Sequence, residues 1–345
     1  MLRITKADIK GLVIYPPTPC KEGMGEWDSP SSVDFDKAAL MANLLIGSGT
    51  SVFGLCGTTG ENAALLFDEK RDYVSTMVKT VNHRIPIFAG CTALGTKEVV
   101  RQMRVMRDLG AEGCFIGLPL WQTPTMKMQH KFYADLSQAV PDMAIMIYSN
   151  QMFFKSDFNA EFWEGIARLA PTVITNKAGS AGDIGDNLRV AGHQVNFVPT
   201  SGAFVEADKK FPGKFNALWN TTFAPEPLVA YINAINSGDR KRADEVWADI
   251  RSIDQPAAAG SPNRMTGPAR AEGYPIYSAR MLSAFASHNA QVHKVEWNAS
   301  GYLPGGVGPM RAPYTDIPDD WAKELVEHTH RWMKMREKYV KVVAK

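Results

Sequence analysis

The sequence predicts a (β/α)8 TIM barrel followed by a C-terminal helical extension. Short apolar runs alternate eight times with longer segments in which apolar residues recur at helical spacing, which is the pattern of parallel β/α units. The runs are apolar throughout, as in strands that are covered on both faces. The Gly-x-Gly-x-x-Gly sequence that often follows the first strand of an open, doubly wound sheet is absent there. A barrel of about 250 residues suggests that residues 1–238 form the barrel and residues 239–345 the extension.

The predicted strands are rich in β-branched and aromatic residues and are bounded by glycine or proline. Pro16, Pro17 and Pro19, for example, end the first strand because proline has no N–H to donate. The strands are predicted at residues 11–15, 51–56, 86–90, 113–117, 143–148, 172–178, 195–198 and 214–219.

Each predicted strand is followed by a segment with helical periodicity. Asp34 is predicted to cap the first helix, and the second has Asp68 and Glu69 near its start and Lys79 near its end, as the helix dipole favours. The barrel helices are predicted at residues 34–46, 68–81, 96–109, 125–139, 159–169, 183–190, 203–210 and 225–235. In the extension, helices are predicted at 239–253, 278–295 and 319–343, with loops rich in Gly and Pro at 255–275 and 301–313.

Composition excludes several classes of function. Lys and Arg number 38 and Asp and Glu number 36, a balance that does not suggest a nucleic-acid or polyanion partner. No apolar run approaches the roughly 20 residues of a membrane span, and the first residues lack the apolar core of a signal peptide. The four cysteines are far apart in sequence and lie mostly in apolar runs. Buried thiols in a reducing compartment, and hence a cytoplasmic location, are expected.

Lys177 is the first candidate for chemistry. It ends the sixth predicted strand, and the active sites of such barrels lie at the carboxyl ends of the strands. Burial there disfavours the ammonium form, so the pKa of this lysine is expected to fall and a free amine becomes available at neutral pH. A free amine attacks a carbonyl and forms an imine. The alternative is an ordinary solvated lysine at a strand end.

Two further candidates lie at strand ends. The turn Gly57–Glu61 follows the second strand and offers two hydroxyls and several backbone N–H groups, which can bind a small carboxylate; Gly57 and Gly60 let a ligand approach closely. The alternative is a tight turn whose threonines cap the backbone. Tyr148 ends the fifth strand, where a phenol can carry a proton to and from a substrate oxygen. Its alternative is a tyrosine at the barrel mouth with one satisfied hydrogen bond.

Together, Gly57-Thr58-Thr59-Gly60-Glu61, Tyr148 and Lys177 resemble the pyruvate-dependent class I aldolases that include dihydrodipicolinate synthase and N-acetylneuraminate lyase. The resemblance implies that Lys177 forms the imine, that Tyr148 carries the proton and that Thr58 relays it. It also implies that Thr59, with the neighbouring N–H groups of Gly57 and Gly60, holds the carboxylate of pyruvate.

The differences from the synthases indicate an apolar substrate. The synthases have Pro-Tyr-Tyr-Asn after the fourth strand, where this chain has Pro119-Leu120-Trp121-Gln122. Phe153 stands where they carry an arginine for a second carboxylate. Trp121, Phe153 and Trp219 therefore suit a flat, apolar end of a substrate. The alternative for these aromatic residues is a place in the core or in a subunit interface.

The chain is most similar to one branch, the hydratase-aldolases that cleave trans-benzylidenepyruvates in the breakdown of aromatic hydrocarbons. Segments 148–150, 155–158, 162–163 and 217–219 of the barrel and His288-Asn289 and 311–314 of the extension carry this similarity. The resemblance implies that Asn289 binds a substrate or water oxygen. The alternative for Asn289 is an amide on a helix surface.

The resemblance implies no cofactor other than the covalent lysine imine, no metal, an aromatic 2-oxoacid as substrate with pyruvate as product, and a homotetramer. The histidines lack ligand spacing, and no PLP or dinucleotide signature is present. Two other functions stay open: a pyruvate-dependent aldolase of 2-keto-3-deoxy sugar acids, and a keto-acid-binding barrel without catalysis.

Overall fold

Eight parallel strands form a single sheet in this computed structural model, which describes residues 2–178, 184–254, 284–315 and 317–340. The strands follow one another around the sheet in the order β7–β6–β5–β4–β3–β2–β1–β8. Their bounds are β1 Gly11–Ile14, β2 Thr50–Gly54, β3 Ile87–Gly90, β4 Gly113–Ile116, β5 Ala144–Ser149, β6 Val173–Ala178, β7 Asn196–Val198 and β8 Ala217–Asn220.

The two ends of this sheet meet and close it into a barrel. Thr200, just after β7, forms a parallel bridge with Trp219 of β8, and the Trp219 N–H donates to the carbonyl oxygen of Pro199 at 2.9 Å. Every residue of β1, β3, β4, β5 and β6 is buried, as expected of strands covered on both faces. The predicted TIM barrel with C-terminal helices is therefore confirmed.

The helices begin where the sequence offers caps. The side chains of Asp34, Thr125, Asn159 and Thr200 each accept a hydrogen bond from a backbone N–H in the first turn of the helix that follows. The helices are α1 Phe35–Gly47, α2 Phe67–Val81, α3 Thr96–Leu109, α4 Met126–Ala139, α5 Gln151–Phe154, α6 Ala160–Leu169, α7 Ile184–Ala191, α8 Ser201–Lys210, α9 Glu226–Asn236, α10 Arg240–Asp254, α11 Ala284–Ser300 and α12 Asp319–Arg336.

One helix of the barrel is absent from the prediction. The four-residue helix α5 is capped at its start by Asn150, whose side chain accepts a hydrogen bond from the Phe153 N–H. At its end, Lys155 is the C-cap and adopts the left-handed conformation (φ 51°). It is too short to show a helical period, so only the capping asparagine indicates it.

The extension contains α10, α11 and α12, close to the predicted helices. Helix α11 is broken at His288, whose φ of −124° and ψ of 18° are not helical. The predicted loop at 255–275 and the first six residues of the predicted helix at 278–295 lie outside the described residues. None of the described helices combines the length and hydropathy of a bilayer-spanning segment.

The chain divides into two compact units, each made of several segments. The first contains Met1–Pro16, Thr50–Gly57 and Leu66–Thr221, and so all eight strands with α2 to α8. The second contains Pro17–Gly49, Thr58–Leu65 and Thr222–Lys345, with α1 and α9 to α12. Because both are discontinuous in sequence, they do not test a single boundary after residue 238, which stays a prediction.

Candidate active site

Lys177 lies at the carboxyl end of β6, beside Tyr148 on the neighbouring strand β5. The two residues are register partners in the parallel pair, and Lys177 is 6% exposed. The Ser149 hydroxyl donates to the Lys177 carbonyl oxygen at 2.9 Å and accepts from the Asn176 side-chain amide at 3.1 Å. The Asn176 carbonyl oxygen Oδ1 accepts from the Val198 N–H at 3.2 Å. These bonds join β5, β6 and β7 next to the lysine and fix its backbone.

Four aromatic rings surround the Lys177 amine, and we call Tyr15, Phe115, Tyr148 and Trp219 the amine cage. The Lys177 Nζ lies 4.1 Å from the ring centroids of Tyr15 and Trp219, 4.7 Å from that of Tyr148 and 5.9 Å from that of Phe115. These rings come from β4, β5, β8 and the residue after β1. Strands so far apart in the sheet can reach one nitrogen only from inside the barrel.

The amine cage favours the neutral form of the Lys177 amine near neutral pH. Burial among the rings lowers the pKa of Lys177 from its ordinary value to about 7. A much larger fraction of the molecules then carries a free amine at neutral pH than for an exposed lysine, which is almost fully protonated there. The ring faces still attract a cation, so the site accommodates both the neutral amine and a cationic imine.

Tyr15 presents its ring to the amine while its hydroxyl is used elsewhere. The Tyr15 hydroxyl donates to Met146 Sδ at 3.1 Å, and its ring meets the Trp219 ring edge to face at 5.6 Å. Burial raises the pKa of Tyr15 well above its ordinary value, and the charge of Tyr148 adds to the shift. Tyr15 therefore stays a neutral phenol and acts on the amine through its π face.

Phe115 and Gly57 form the back of the amine cage. Phe115 stacks on Tyr148 with 4.7 Å between ring centroids, and Phe154 of α5 also packs on Tyr148, edge to face, at 5.1 Å. A Cβ on Gly57 would lie only 2.8 Å from Phe115 Cε1. Glycine is required at position 57 because any side chain there would displace Phe115 and, with it, Tyr148.

Residues 58–61 of the turn that was predicted to bind a carboxylate belong to the second unit. The Thr59 hydroxyl, which is buried, lies 3.4 Å from Asn289 Oδ1, to which it donates. The turn is closed by the Glu61 N–H, which donates to the Thr58 carbonyl oxygen at 3.0 Å, and by the Thr18 hydroxyl, which donates to the Gly60 carbonyl oxygen at 2.8 Å. Thr59 and Asn289, both predicted as substrate-binding residues, are thus in contact.

Glu61 holds the end of this turn in a buried ion cluster. Its carboxylate pairs with Lys294 of α11 at 2.7 Å and with the Arg311 guanidinium, and it accepts from the Arg311 N–H at 3.0 Å. All three side chains are at most 3% exposed. Burial lowers the pKa of Lys294; the Glu61 carboxylate opposes this shift and the Arg311 charge adds to it.

Residues 24–213, more than half of the chain, match the model of the dihydrodipicolinate synthetase family. The chain belongs to the dihydrodipicolinate synthetase family. It is 32% identical over 343 residues to the trans-O-hydroxybenzylidenepyruvate hydratase-aldolase of Pseudomonas aeruginosa, covering 98% of this chain and 96% of that protein. It is 30% identical over 348 residues to the trans-2'-carboxybenzalpyruvate hydratase-aldolase of Nocardioides sp. (strain KP7), covering 99% of this chain and 98% of that protein.

Solved structures of the dihydrodipicolinate synthetase family share this fold. A structure of PhdJ bound to substrate intermediate superposes with a TM-score of 0.85 at 26% identity, covering 98% of this chain and all of that chain. The dihydrodipicolinate synthase of Aquifex aeolicus gives a TM-score of 0.74 at 18% identity over 94% of this chain and 98% of that chain, which is evidence for the fold alone. The resemblance inferred from the turn, Tyr148 and Lys177 is confirmed.

The three aromatic residues predicted to contact the substrate ring differ in their exposure to solvent. Trp219 contributes to the amine cage and also donates from its indole N–H to the Ala178 carbonyl oxygen at 2.7 Å. Phe153 is partly exposed on α5, and Trp121 is 80% exposed. The roles of these three residues in substrate binding stay predictions.

Two residues of the site, Tyr15 and Phe115, are missing from the prediction. Tyr15 directly follows β1, so its position at a strand end was a usable signal. Phe115 lies within the apolar strand β4, where nothing in the sequence distinguishes it from its neighbours. Among the described residues, no group of three or more His, Cys, Asp or Glu side chains is arranged to hold a metal ion.

Proposed function

We propose that this member of the dihydrodipicolinate synthetase family is a hydratase-aldolase that cleaves a substituted trans-benzylidenepyruvate with water to an aromatic aldehyde and pyruvate. The observation that carries the proposal is the buried Lys177 amine inside the amine cage. The named activities of the two hydratase-aldolase relatives, which match over nearly the whole chain, support the choice of substrate.

The reaction would begin with imine formation. The neutral Lys177 amine attacks the 2-keto carbon, water leaves, and a cationic imine remains conjugated to the substrate double bond. The imine withdraws electrons along this system, so the benzylic carbon becomes electrophilic and adds water. Rings at 4.1 Å on two sides of the nitrogen favour the cationic imine.

Carbon–carbon cleavage would follow. Tyr148, with Thr58 as its relay, takes the proton of the new benzylic hydroxyl, and the bond between the benzylic carbon and carbon 3 breaks. Its electron pair moves into the imine, which becomes a neutral enamine as the aromatic aldehyde leaves. Protonation of carbon 3 and hydrolysis release pyruvate and restore the amine.

The remaining roles concern binding. Thr59 and the N–H groups of Gly57 and Gly60 would hold the substrate carboxylate throughout, which fixes the orientation of the keto carbon. Asn289, in contact with Thr59, would bind a substrate or water oxygen. Trp121, Phe153 and Trp219 would contact the aromatic ring. The protein would act without a further cofactor, as a cytoplasmic homotetramer of an aromatic-degradation pathway.

A 2-keto-3-deoxy sugar acid is the second candidate substrate. Such a substrate presents several hydroxyls, each of which needs a partner when it is buried. Four aromatic ring centroids lie 4.1 to 5.9 Å from the Lys177 amine, and these rings favour the flat aromatic substrate.

The test is incubation of the protein with a panel of substituted trans-benzylidenepyruvates and, separately, with 2-keto-3-deoxy sugar acids, each with and without borohydride. Wild type is expected to release aldehyde, and borohydride is expected to trap pyruvate on the peptide that contains Lys177. Lys177→Ala should lose both signals, whereas Lys155→Ala, a change at an exposed lysine at the end of α5, should keep them. Aldehyde release by Lys177→Ala at the wild-type rate would refute the proposal, and faster cleavage of sugar acids than of aromatic substrates would favour the second candidate.

A further inference from the structure

The Tyr148 ring contacts two phenylalanine rings that come from different elements of the barrel. The Phe115 ring, from β4, stacks on it with an interplanar angle of 30°, whereas the Phe154 ring, from α5, meets it edge to face at 74°. All three side chains are at most 6% exposed. Because the two contacts differ in orientation, together they restrict the Tyr148 ring more than either does alone.

Gly117 makes room for the Phe154 ring. It directly follows β4, and its N–H donates to the Thr92 hydroxyl oxygen at 2.9 Å. A Cβ added at Gly117 would overlap the Phe154 ring, with Cζ as the nearest atom. A side chain at position 117 would therefore push the far end of this buried ring away and change its contact with Tyr148.

Helix α5 holds Phe154 in this place through bonds at both of its ends. At the start, the Phe154 N–H donates to the Asn150 carbonyl oxygen at 3.0 Å. After the end, the Ser156 hydroxyl donates to Gln129 Oε1 of α4 at 2.8 Å, and the Gln129 amide donates to the Pro124 carbonyl oxygen at 2.9 Å. Ser156 and Gln129 are buried, where a hydrogen bond is stronger than in water. A four-residue helix has little stability of its own, so these bonds fix its position.

We propose that Phe154 is a positioning residue for the proton transfer by Tyr148. The inference rests on the proposed function, in which the Tyr148 hydroxyl takes the proton of the benzylic hydroxyl. This transfer requires the two oxygens to lie at hydrogen-bond distance, and a displacement of about 1 Å can lower a rate about a hundredfold. Without the Phe154 ring, the Tyr148 ring gains room to move toward Gly117, and its hydroxyl spends less time in the reactive position.

The loss should fall on carbon–carbon cleavage and leave the amine in place. Phe154→Leu removes the ring but keeps an apolar side chain on α5. For the benzylidenepyruvate that wild type cleaves fastest, we expect the kcat of aldehyde release to fall about tenfold and the KM to stay within about threefold. Borohydride should still trap pyruvate on Lys177 of this variant, because the nucleophile is unchanged.

Phe132→Leu is the matched control. Phe132 of α4 is 5% exposed and packs edge to face on Tyr133, with 5.0 Å between ring centroids and 71° between ring planes. These values are close to those of Phe154 on Tyr148, 5.1 Å and 74°. Tyr133 has no part in the proposed reaction; its hydroxyl donates to the Ile116 carbonyl oxygen at 3.1 Å. The control should lose a similar amount of stability in urea unfolding but keep the kcat within about twofold.

Two double variants test whether the effect of Phe154 passes through the Tyr148 hydroxyl. Tyr148→Phe removes that hydroxyl and keeps the ring, so Phe154→Leu added to it should slow aldehyde release by less than about a further twofold. Gly117→Ala alone should reproduce the kcat loss, because its Cβ displaces the Phe154 ring. Added to Phe154→Ala, which leaves no ring to displace, it should cause little further loss. Single-turnover measurements with protein in excess keep slow variants measurable, and circular dichroism establishes that each is folded.

The outcomes separate this inference from the proposed function. If Phe154→Leu and Phe132→Leu change the kcat equally, Phe154 contributes packing alone and the inference is overturned, while aldehyde release by wild type leaves the proposed function intact. A tenfold loss that persists in the Tyr148→Phe background would also overturn it. If wild type neither releases aldehyde nor is trapped on Lys177, the proposed function fails and the inference fails with it.

Discussion

At the scale of single residues, the protonation of Lys177 sets the pH range in which the site can act. Burial lowers the pKa of this lysine to about 7. Only the neutral amine attacks a carbonyl, so protonation below pH 7 removes the nucleophile, whereas raising the pH above 7 increases the fraction of free amine by no more than about twofold.

We therefore predict that the rate of imine formation with pyruvate rises about tenfold per pH unit below pH 7 and levels off above it. The second-order rate constant for borohydride trapping, measured from pH 5.5 to 9 at saturating borohydride, checks this. A rate that keeps rising to pH 9 would mean that Lys177 titrates as an exposed lysine does and that the amine cage does not desolvate it.

Tyr15 is predicted to stabilise the cationic imine through its ring. Its ring centroid lies 4.1 Å from the Lys177 Nζ, and its hydroxyl is bonded to Met146. Tyr15→Leu should slow imine formation roughly fivefold, because a cation–π contact is worth about 1 kcal/mol. Tyr15→Phe keeps the ring and should stay within about twofold of wild type. Trapping rates of the two variants decide the point: equal rates would show that the π face of Tyr15 has no effect on the imine.

At the scale of elements, the turn at residues 58–61 depends on α11 and on the segment at residues 309–311. Glu61 pairs with Lys294 of α11 and with Arg311, and the Arg311 guanidinium also donates to the carbonyl oxygens of Thr18 and Pro19 at 3.0 Å each. The Lys294 amine donates to the Pro309 carbonyl oxygen at 2.5 Å. These bonds fix the turn that contains Thr59 and the helix that contains Asn289, and so they hold the two residues in contact.

Glu61→Gln should therefore both destabilise the protein and weaken substrate binding. The change leaves two buried cations without a carboxylate, which costs about 3 kcal/mol of unfolding free energy. Urea unfolding and the KM for pyruvate in the trapping reaction measure the two effects; we expect the KM to rise more than the kcat falls. Lys294→Met, which retains the pair of Glu61 with Arg311, should cost less and remain folded for the kinetic measurement.

The matched control for this prediction is Asp135→Asn. Asp135 pairs with Lys131 one turn away on α4, and the two side chains are 36% and 73% exposed. An exposed pair of this kind contributes less than about 1 kcal/mol. If Glu61→Gln changes stability no more than Asp135→Asn does, and leaves the KM unchanged, the cluster does not hold the turn.

At the scale of the whole molecule, the sequence predicted the barrel well because each strand and helix carries its own local signals. Continuous apolar runs located the strands to within about three residues at either end, and Asp34, Thr125 and Asn159 marked helix starts as N-caps or next to them. The four-residue helix α5 was missed because the capping side chain of Asn150 is its only local signal.

The sequence predicted which candidate site residues lie close together only where position along a strand is informative. Lys177 and Tyr148 lie at the carboxyl ends of neighbouring strands, so a barrel necessarily places them side by side. Glu61 pairs with Lys294 and Arg311, which lie more than 230 positions away in sequence. All three are charged residue types that usually lie on the surface. Long-range packing of this kind has no periodicity or spacing that a sequence could show.

Closure of the barrel links the fold to the chemistry through one residue, Trp219. Its backbone N–H closes the barrel at Pro199, its indole N–H donates to the Ala178 carbonyl oxygen next to Lys177, and its ring lies on the amine. A change here therefore tests whether the indole bond beside Lys177 stabilises the closed barrel.

Trp219→Phe keeps the backbone bond and an aromatic face but removes the indole N–H. We predict a loss of about 1–3 kcal/mol of unfolding free energy, because the buried Ala178 carbonyl oxygen loses this donor. The loss should appear in global urea unfolding, since Ala178 belongs to β6, which pairs with β5 on one side and with β7 on the other. Trp27→Phe is the control: Trp27 is 87% exposed, so its replacement should change stability by less than about 0.5 kcal/mol. Equal stabilities of the two variants would show that the indole bond beside Lys177 does not support the closed barrel.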